Sequence, residues 1–317
     1  MKHKFTIGSR GSQLALWQTE FVKTKLQNLF PETEFEVRII TTKGDAILDT
    51  ALSKIGDKGL FTKQIEDKLL SGEIDLAVHS LKDLPTRLPE GLKIGSVTER
   101  ETPNDVLIAK NYSSIDELPK NARIATGSLR RKSQLLRYRS DLQIFEIRGN
   151  VPTRIKKFEE SDLDAMILAF AGISRLGLEE YIKQIIPTEI MIPAVGQGAI
   201  AVEIRGDDEE THELLKPIND SLTEICVSAE RSFLRVLEGG CQVPIGAFAS
   251  VVRDKIKLES FVGNFDGSVT LRDSIVGDGK AAGNLGRNLA ERMIANGAGL
   301  ILEEARKAAQ QAHKEVI

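Results

Sequence analysis

Cysteine and histidine are scarce. The 317 residues hold Cys226 and Cys241, with histidine only at His3, His79, His212 and His313. Scattered in this way they match no metal-ligand spacing, so no metal is expected. In a reducing compartment the two cysteines are expected as thiols and not as a disulfide. An excess of one charge is missing too: 43 Lys and Arg stand against 46 Asp and Glu, a net charge of -3. No global basic field draws the chain to nucleic acid, and any role for its basic residues must come from local clustering. The basic stretch 123–139 has only Tyr138 to offer for base stacking, which ranks RNA binding last. Long hydrophobic runs are also absent. The opening Met1-Lys2-His3-Lys4-Phe5-Thr6-Ile7-Gly8 passes into polar sequence without an apolar stretch, and no later segment has the length of a bilayer span. A cytoplasmic location without a membrane partner is therefore expected. Nucleotide fingerprints fail as well: Gly277-Asp278-Gly279-Lys280-Ala281 lacks the first glycine and the final Ser/Thr of a P-loop, and no G-x-G-x-x-G follows a strand.

The chain does have apolar content for proper cores, and a length that calls for two or three domains. Its first strand, Phe5-Thr6-Ile7, runs into Gly8-Ser9-Arg10-Gly11-Ser12 and then a helix whose buried stripe reads as Leu14, Trp17, Phe21 and Leu29. Such a turn either binds an anion, with Ser12 and the backbone N–H groups joined by Arg10, or merely caps the helix. The design recurs. Arg123-Ile124-Ala125 delivers Thr126-Gly127-Ser128 to a helix starting at Leu129, and Arg130 and Arg131 fall in its first turn, where they oppose the helix dipole. A ligand would explain that cost. Residues 142–147 deliver Arg148-Gly149-Asn150 ahead of Arg154, and Ala165-Met166-Ile167-Leu168-Ala169 leads to Arg175. Single surface arginines are ordinarily only solvated, but a series recurring after strand ends implies a ligand with several carboxylates or phosphates.

Ile74-Asp75-Leu76-Ala77-Val78 is an apolar run of buried-strand type, delivering His79-Ser80-Leu81-Lys82-Asp83-Leu84-Pro85 at the end where open α/β sheets bind ligands. Asp83 is either a catalytic carboxylate or a turn residue bonded to its own backbone. The glycine- and lysine-rich stretch 53–61 is a lid or simply a solvated loop. Pro193-Ala194-Val195-Gly196-Gln197-Gly198 reads as a hinge before the strand 199–204. Beyond a helix ending near Leu237, Glu238-Gly239-Gly240-Cys241-Gln242-Val243-Pro244 sets one thiol on a bent path, since the glycines permit φ > 0 and Pro244 restricts its own φ and Val243. Alone, that cysteine reads as inert packing. Three strands and two helices follow. A two-lobed anion-binding protein that catalyses nothing is the runner-up reading, and the cysteine turn and the expected lack of a signal peptide argue against it.

Taken together, Gly8-Ser9-Arg10-Gly11-Ser12-Gln13-Leu14-Ala15, Thr42-Lys43-Gly44-Asp45, Gly59-Leu60-Phe61, Ala77-Val78-His79-Ser80-Leu81-Lys82-Asp83-Leu84-Pro85, Ser128-Leu129-Arg130-Arg131, Arg148-Gly149-Asn150-Val151, Pro193-Ala194-Val195-Gly196-Gln197-Gly198 and the cysteine turn resemble the hydroxymethylbilane synthase (porphobilinogen deaminase) family from end to end. Gly127, where many members carry serine, is the nearest to a departure. The resemblance implies an α/β protein with two doubly wound, periplasmic-binding-protein-like lobes, residues 1–98 plus 199–216 and residues 103–192. A third, small α+β domain over 217–317 would carry the cofactor cysteine. It implies a monomeric transferase of tetrapyrrole (haem) biosynthesis. The enzyme would join four porphobilinogen molecules head to tail with release of ammonia, then free hydroxymethylbilane by hydrolysis. By the same resemblance Cys241 would hold a dipyrromethane cofactor as a thioether, gripped by Lys82, Ser128, Arg130 and Arg131. Arg10, Ser12, Arg148, Arg154 and Arg175 would bind substrate, Asp83 would be catalytic, and residues 56–61 would form a lid.

Overall fold

A computed structural model describes residues 2–46, 59–237 and 243–314. In chain order the elements begin β1 (Lys4–Ser9), α1 (Gln13–Leu29), β2 (Glu34–Ile39), α2 (Lys43–Ala46), α3 (Lys63–Leu70), β3 (Leu76–Ser80) and β4 (Leu92–Val97). Then come β5 (Asp105–Ala109), β6 (Arg123–Ala125), α4 (Leu129–Tyr138), β7 (Gln143–Phe145), α5 (Val151–Glu159), β8 (Ala165–Ala169), α6 (Phe170–Ser174) and β9 (Ile182–Ile185). The chain continues with β10 (Ile200–Arg205), α7 (Glu209–Leu215), α8 (Ser221–Val236), β11 (Ile245–Val252), β12 (Lys255–Gly263), β13 (Thr270–Gly277), α9 (Ala282–Met293) and α10 (Gly299–Lys314). The described residues form two compact units, one of 2–46, 59–101 and 198–224, the other of 102–197, 225–237 and 243–314.

The first unit is built on a five-stranded sheet of order β2-β1-β3-β10-β4, in which β1 is parallel to β2 and β3, while β10 runs antiparallel to both its neighbours. The second unit repeats the plan: order β7-β6-β8-β5-β9, with β6 parallel to β7 and β8, and β5 antiparallel to β8 and β9. In each unit the reversed strand is the one the chain enters on crossing over from the other unit. All five residues of β5 and of β8 are buried, and they alternate between two cores. Val106, Ile108, Met166 and Leu168 join one, and Leu107, Ala109, Ala165 and Ile167 join the other. A strand apolar on both faces needs cover on both, which gives the α/β layering. The second unit also contains the antiparallel sheet β11-β12-β13, packed on α8, α9 and α10 through Phe233, Leu258, Val262 and Leu289.

The buried side of α1 differs from the stripe expected from its apolar residues. Trp17 and Leu29 are exposed and Leu14 and Phe21 half-buried, whereas Ala15, Gln18, Thr19, Val22 and Leu26 face inward. Two polar residues occupy the inner face because the neighbouring strands satisfy them. Thr19 donates to Ser9 Oγ at 2.7 Å and Gln18 Nε2 to Ser80 Oγ at 2.9 Å. Trp17 and Phe21 stack on each other outside, 5.4 Å apart.

A close helix contact in the second unit yields a stability prediction. A Cβ on Gly286 of α9 would lie 2.1 Å from Ala229 O and 2.8 Å from Phe233 N of α8. Gly286→Ala must push the helices apart and should cost about 1–3 kcal/mol, read as a lower denaturant midpoint; an unchanged midpoint would contradict the contact.

Candidate active site

Ligands in α/β sheets meet the C-terminal ends of parallel strands, so the residues just after β1 and β3 in one unit, and after β6, β7 and β8 in the other, are the first to consider. In the first unit those ends are neighbours, and they bring Arg10 and Ser12 to the same sheet edge as Lys82 and Asp83. Ser12 caps α1, its Oγ accepting from Ala15 N at 3.3 Å. A capping hydroxyl used as acceptor keeps its own hydrogen to donate to an anion. Arg10 lies over the Phe61 ring, 4.1 Å from its centroid. The same ring packs against Gly44, where a Cβ would lie 2.2 Å from it, and Gly44 N donates to Leu60 O. Three motifs separated in sequence, 42–45, 59–61 and Arg10, thus form one arrangement in which Gly44 leaves room for the ring that Arg10 covers. Of the stretch 56–61 expected as a lid, residues 56–58 lie outside the described residues.

Lys82 and Asp83 are both exposed, on a single 3₁₀ turn (Leu81–Asp83) that closes when Leu84 N donates to Leu81 O. Leu81 N donates to Ala199 O at 3.0 Å, and Ser80 is tied to Gln18. The turn is therefore anchored from two elements, while its two charged side chains point away from the core.

In the second unit Ser128 caps α4, accepting from Arg131 N, and Asn150 caps α5, accepting from Thr153 N at 2.9 Å. Arg148 donates to Glu146 at 3.4 Å, Arg154 Nε donates to Gly149 O at 2.7 Å, and Arg175 is buried at the end of α6. Because β6, β7 and β8 are adjacent and parallel, Ser128, Arg130, Arg131, Arg148, Arg154 and Arg175 all follow strand ends on one edge of this sheet. Cys241 lies outside the described residues, as do its neighbours 238–240 and Gln242.

Arg130 and Arg131 carry the clearest electrostatics. Their placement at a helix N-terminus called for a ligand, but the chain itself supplies a counter-charge. Arg130 Nη1 donates to Asp105 Oδ2 at 2.7 Å and to Ile192 O, and Arg131 donates through Nε and Nη2 to Asp105 Oδ1 at 3.0 and 2.8 Å. Gln197 Nε2 completes the set at 2.9 Å from Asp105 Oδ1. Burial alone would raise the Asp105 carboxyl, but the two guanidiniums reverse this and hold it well below the usual carboxylate range. Burial lowers Arg131 from its ordinary value, with Asp105 opposing that shift and Arg130 adding to it. Two guanidiniums against one carboxylate leave one positive charge in excess where side chains are under a tenth exposed. A group bearing carboxylates fits such a donor set. Asp105 escaped the sequence reading because it opens an otherwise apolar strand. Its position there, a charge at the head of Val106-Leu107-Ile108-Ala109, was the only available signal.

Residues 5–213 match the family model described as porphobilinogen deaminase, dipyromethane cofactor binding domain, and residues 224–295 match the model of that enzyme's C-terminal domain. The chain belongs to the porphobilinogen deaminase family. A member of the family from Chlorobaculum parvum, named porphobilinogen deaminase, is 53% identical over 97% of this chain and 99% of its own length. Another, from Pelotomaculum thermopropionicum, bears the same name and is 51% identical over 97% and 98%. Among solved structures, the periplasmic aliphatic sulphonate binding protein SsuA from Escherichia coli is similar at 15% identity and a TM-score of 0.39, over 75% of this chain and 71% of that one. The cofactor-binding model spans both five-stranded sheets, so both strand-end clusters fall within the family's cofactor-binding domain.

Proposed function

We infer that this chain is a hydroxymethylbilane synthase, a deaminating transferase of tetrapyrrole biosynthesis that joins four porphobilinogen molecules head to tail, releases ammonia at each addition and frees the product by hydrolysis. The observation that carries this reading is the 53% identity over 97% of this chain and 99% of the relative's own length. A dipyrromethane bound as a thioether to Cys241 would supply the primer on which the product grows. A cysteine suits that attachment because even its small thiolate fraction at neutral pH is strongly nucleophilic.

The chain's own residues then divide the work. Arg130 and Arg131, preset by Asp105, and Ser128 would hold the primer's carboxylates, and Lys82 would do the same. Arg10, Ser12, Arg148, Arg154 and Arg175 receive the acetate and propionate of the incoming pyrrole, each guanidinium contact contributing about 1.5–3 kcal/mol. Asp83 would stabilise the positive charge left when ammonia departs and would take the proton that the pyrrole must lose. The work is divided among three domains, 1–98 plus 199–216, 103–192 and 217–317, in a cytoplasmic monomer that needs no nucleic acid or membrane.

Intact-mass measurement tests the reading. The purified wild-type chain should carry added mass equal to two pyrrole units and release ammonia from porphobilinogen, and Cys241→Ser should lose both. An unmodified wild-type chain that releases no ammonia would replace this reading with that of a non-catalytic anion-binding protein.

A further inference from the structure

The two faces of β3 are anchored differently just before the Leu81–Asp83 turn. Ser80 is held on one side by Gln18 of α1. On the other side, against α3, sits His79, whose Nε2 lies 3.0 Å from Glu203 Oε2 of β10, with both side chains buried. The contact is at ion-pair distance without being a well-aligned hydrogen bond. Glu66 of α3, itself 5% exposed, stands close enough for both side chains to act on its carboxyl. His79 Nε2, both carboxylate oxygens of Glu203 and Glu66 Oε1 are fully buried without a hydrogen-bond partner among the described residues.

Such a group is costly. Buried ionisable side chains with unmet hydrogen-bonding capacity destabilise a fold, and an apolar trio on this face would join Ile65, Leu69, Ile74 and Ala77 at no such cost. Burial raises the Glu66 carboxyl above its ordinary value; the Thr62 hydroxyl opposes this most, Glu203 and Asp67 add to it, and His79 opposes it more weakly. Locally unfavourable chemistry inside an otherwise consistent core marks function more often than stability. None of the three side chains is among the groups assigned to ligand binding above, yet the trio links three elements. It joins α3, which follows the Phe61 segment under Arg10; β10, whose Ala199 flank receives Leu81 N; and β3, which ends at Asp83.

We propose that His79, held by Glu203 and flanked by Glu66, is a positioning residue that sets the Leu81–Asp83 turn for catalysis. The proposal rests on the reading of Asp83 as catalytic, and it acts through backbone placement: the register pairs His79 with Ala201 and Ser80 with Ile200, so a shift at His79 moves the turn that begins one residue after Ser80.

The test compares His79→Leu, His79→Gln and Glu66→Gln with the wild-type holoenzyme, each checked for bound primer by intact mass. His79→Leu should lower kcat about tenfold or more with KM within about twofold, the scale on which misplacing a reacting group is felt. His79→Gln keeps a nitrogen donor toward Glu203 and should recover much of the loss. Glu66→Gln removes the raised carboxyl: it should melt higher than wild type above about pH 5, with the gain vanishing below about pH 4 where Glu66 is neutral in both states, and should nevertheless turn over more slowly. Wild-type kcat in His79→Leu, no recovery in His79→Gln, or a stabilised Glu66→Gln of full activity would each overturn the proposal. Asp83→Asn, run alongside, keeps the two readings apart: full activity there would remove Asp83 itself, whereas an inactive Asp83→Asn beside an unaffected His79→Leu would sink only the positioning role.

Discussion

Asp83→Asn is expected to fold like the wild type and to lose about 10²–10³-fold in turnover, the usual consequence of removing one preorganised electrostatic contact to a developing charge. The fold has no use for the carboxylate: the side chain is exposed, and the turn that carries it is closed and anchored through backbone groups and through Ser80. Asparagine keeps the size and one oxygen but removes the negative charge, so the change isolates charge from shape. The denaturation midpoint should stay within the ±0.5 kcal/mol typical of a surface substitution, while ammonia release from porphobilinogen falls. A variant with normal turnover would leave Asp83 as a turn residue only.

Asp105→Ala should be the most destabilising substitution of a charged residue considered above. It leaves Arg130 and Arg131 buried side by side without the one carboxylate that pairs them among the described residues, and breaking a buried ion pair from one side costs about 3–5 kcal/mol. Asp105→Asn keeps the shape and should fall between Ala and wild type. Because the folded carboxyl lies below its unfolded value, its contribution is complete above the unfolded pKa of about 3.9 and is lost only as pH falls through the lower, folded one. The gap in stability between wild type and Asp105→Asn should therefore stay constant from about pH 8 to pH 5 and narrow in stronger acid. Both variants should also lose the added pyrrole mass. If Asp105→Asn melts like the wild type at neutral pH, the carboxylate is not what holds the two arginines.

Buried strands were legible where apolar residues run without interruption, as in 165–169, and the arginines after them were legible because each strand end is a local feature. Two edge strands were not: β4, Leu-Lys-Ile-Gly-Ser-Val, and β9, Ile-Lys-Gln-Ile, alternate with polar residues and take their identity from the neighbours they pair with. Asp105 was hidden for a related reason, since its partners Arg130, Arg131 and Gln197 are 25, 26 and 92 residues away. The inner face of α1 was misread because Gln18 and Thr19 are buried only where Ser80 and Ser9 meet them.

By itself, the amino-acid sequence determined the α/β class, the repeated strand–turn–helix design, the family and the residue types a carboxylate-rich substrate requires. All of these are encoded in short segments whose periodicity and turn chemistry act locally. Tertiary structure alone decided which of those side chains share a sheet edge and which charges cancel. It reversed β5 and β10, set Phe61 under Arg10, and put Glu203 against His79 beneath the Asp83 turn. Those outcomes depend on pairing between distant segments, where burial makes one carboxylate more or less decisive, and no local pattern records it.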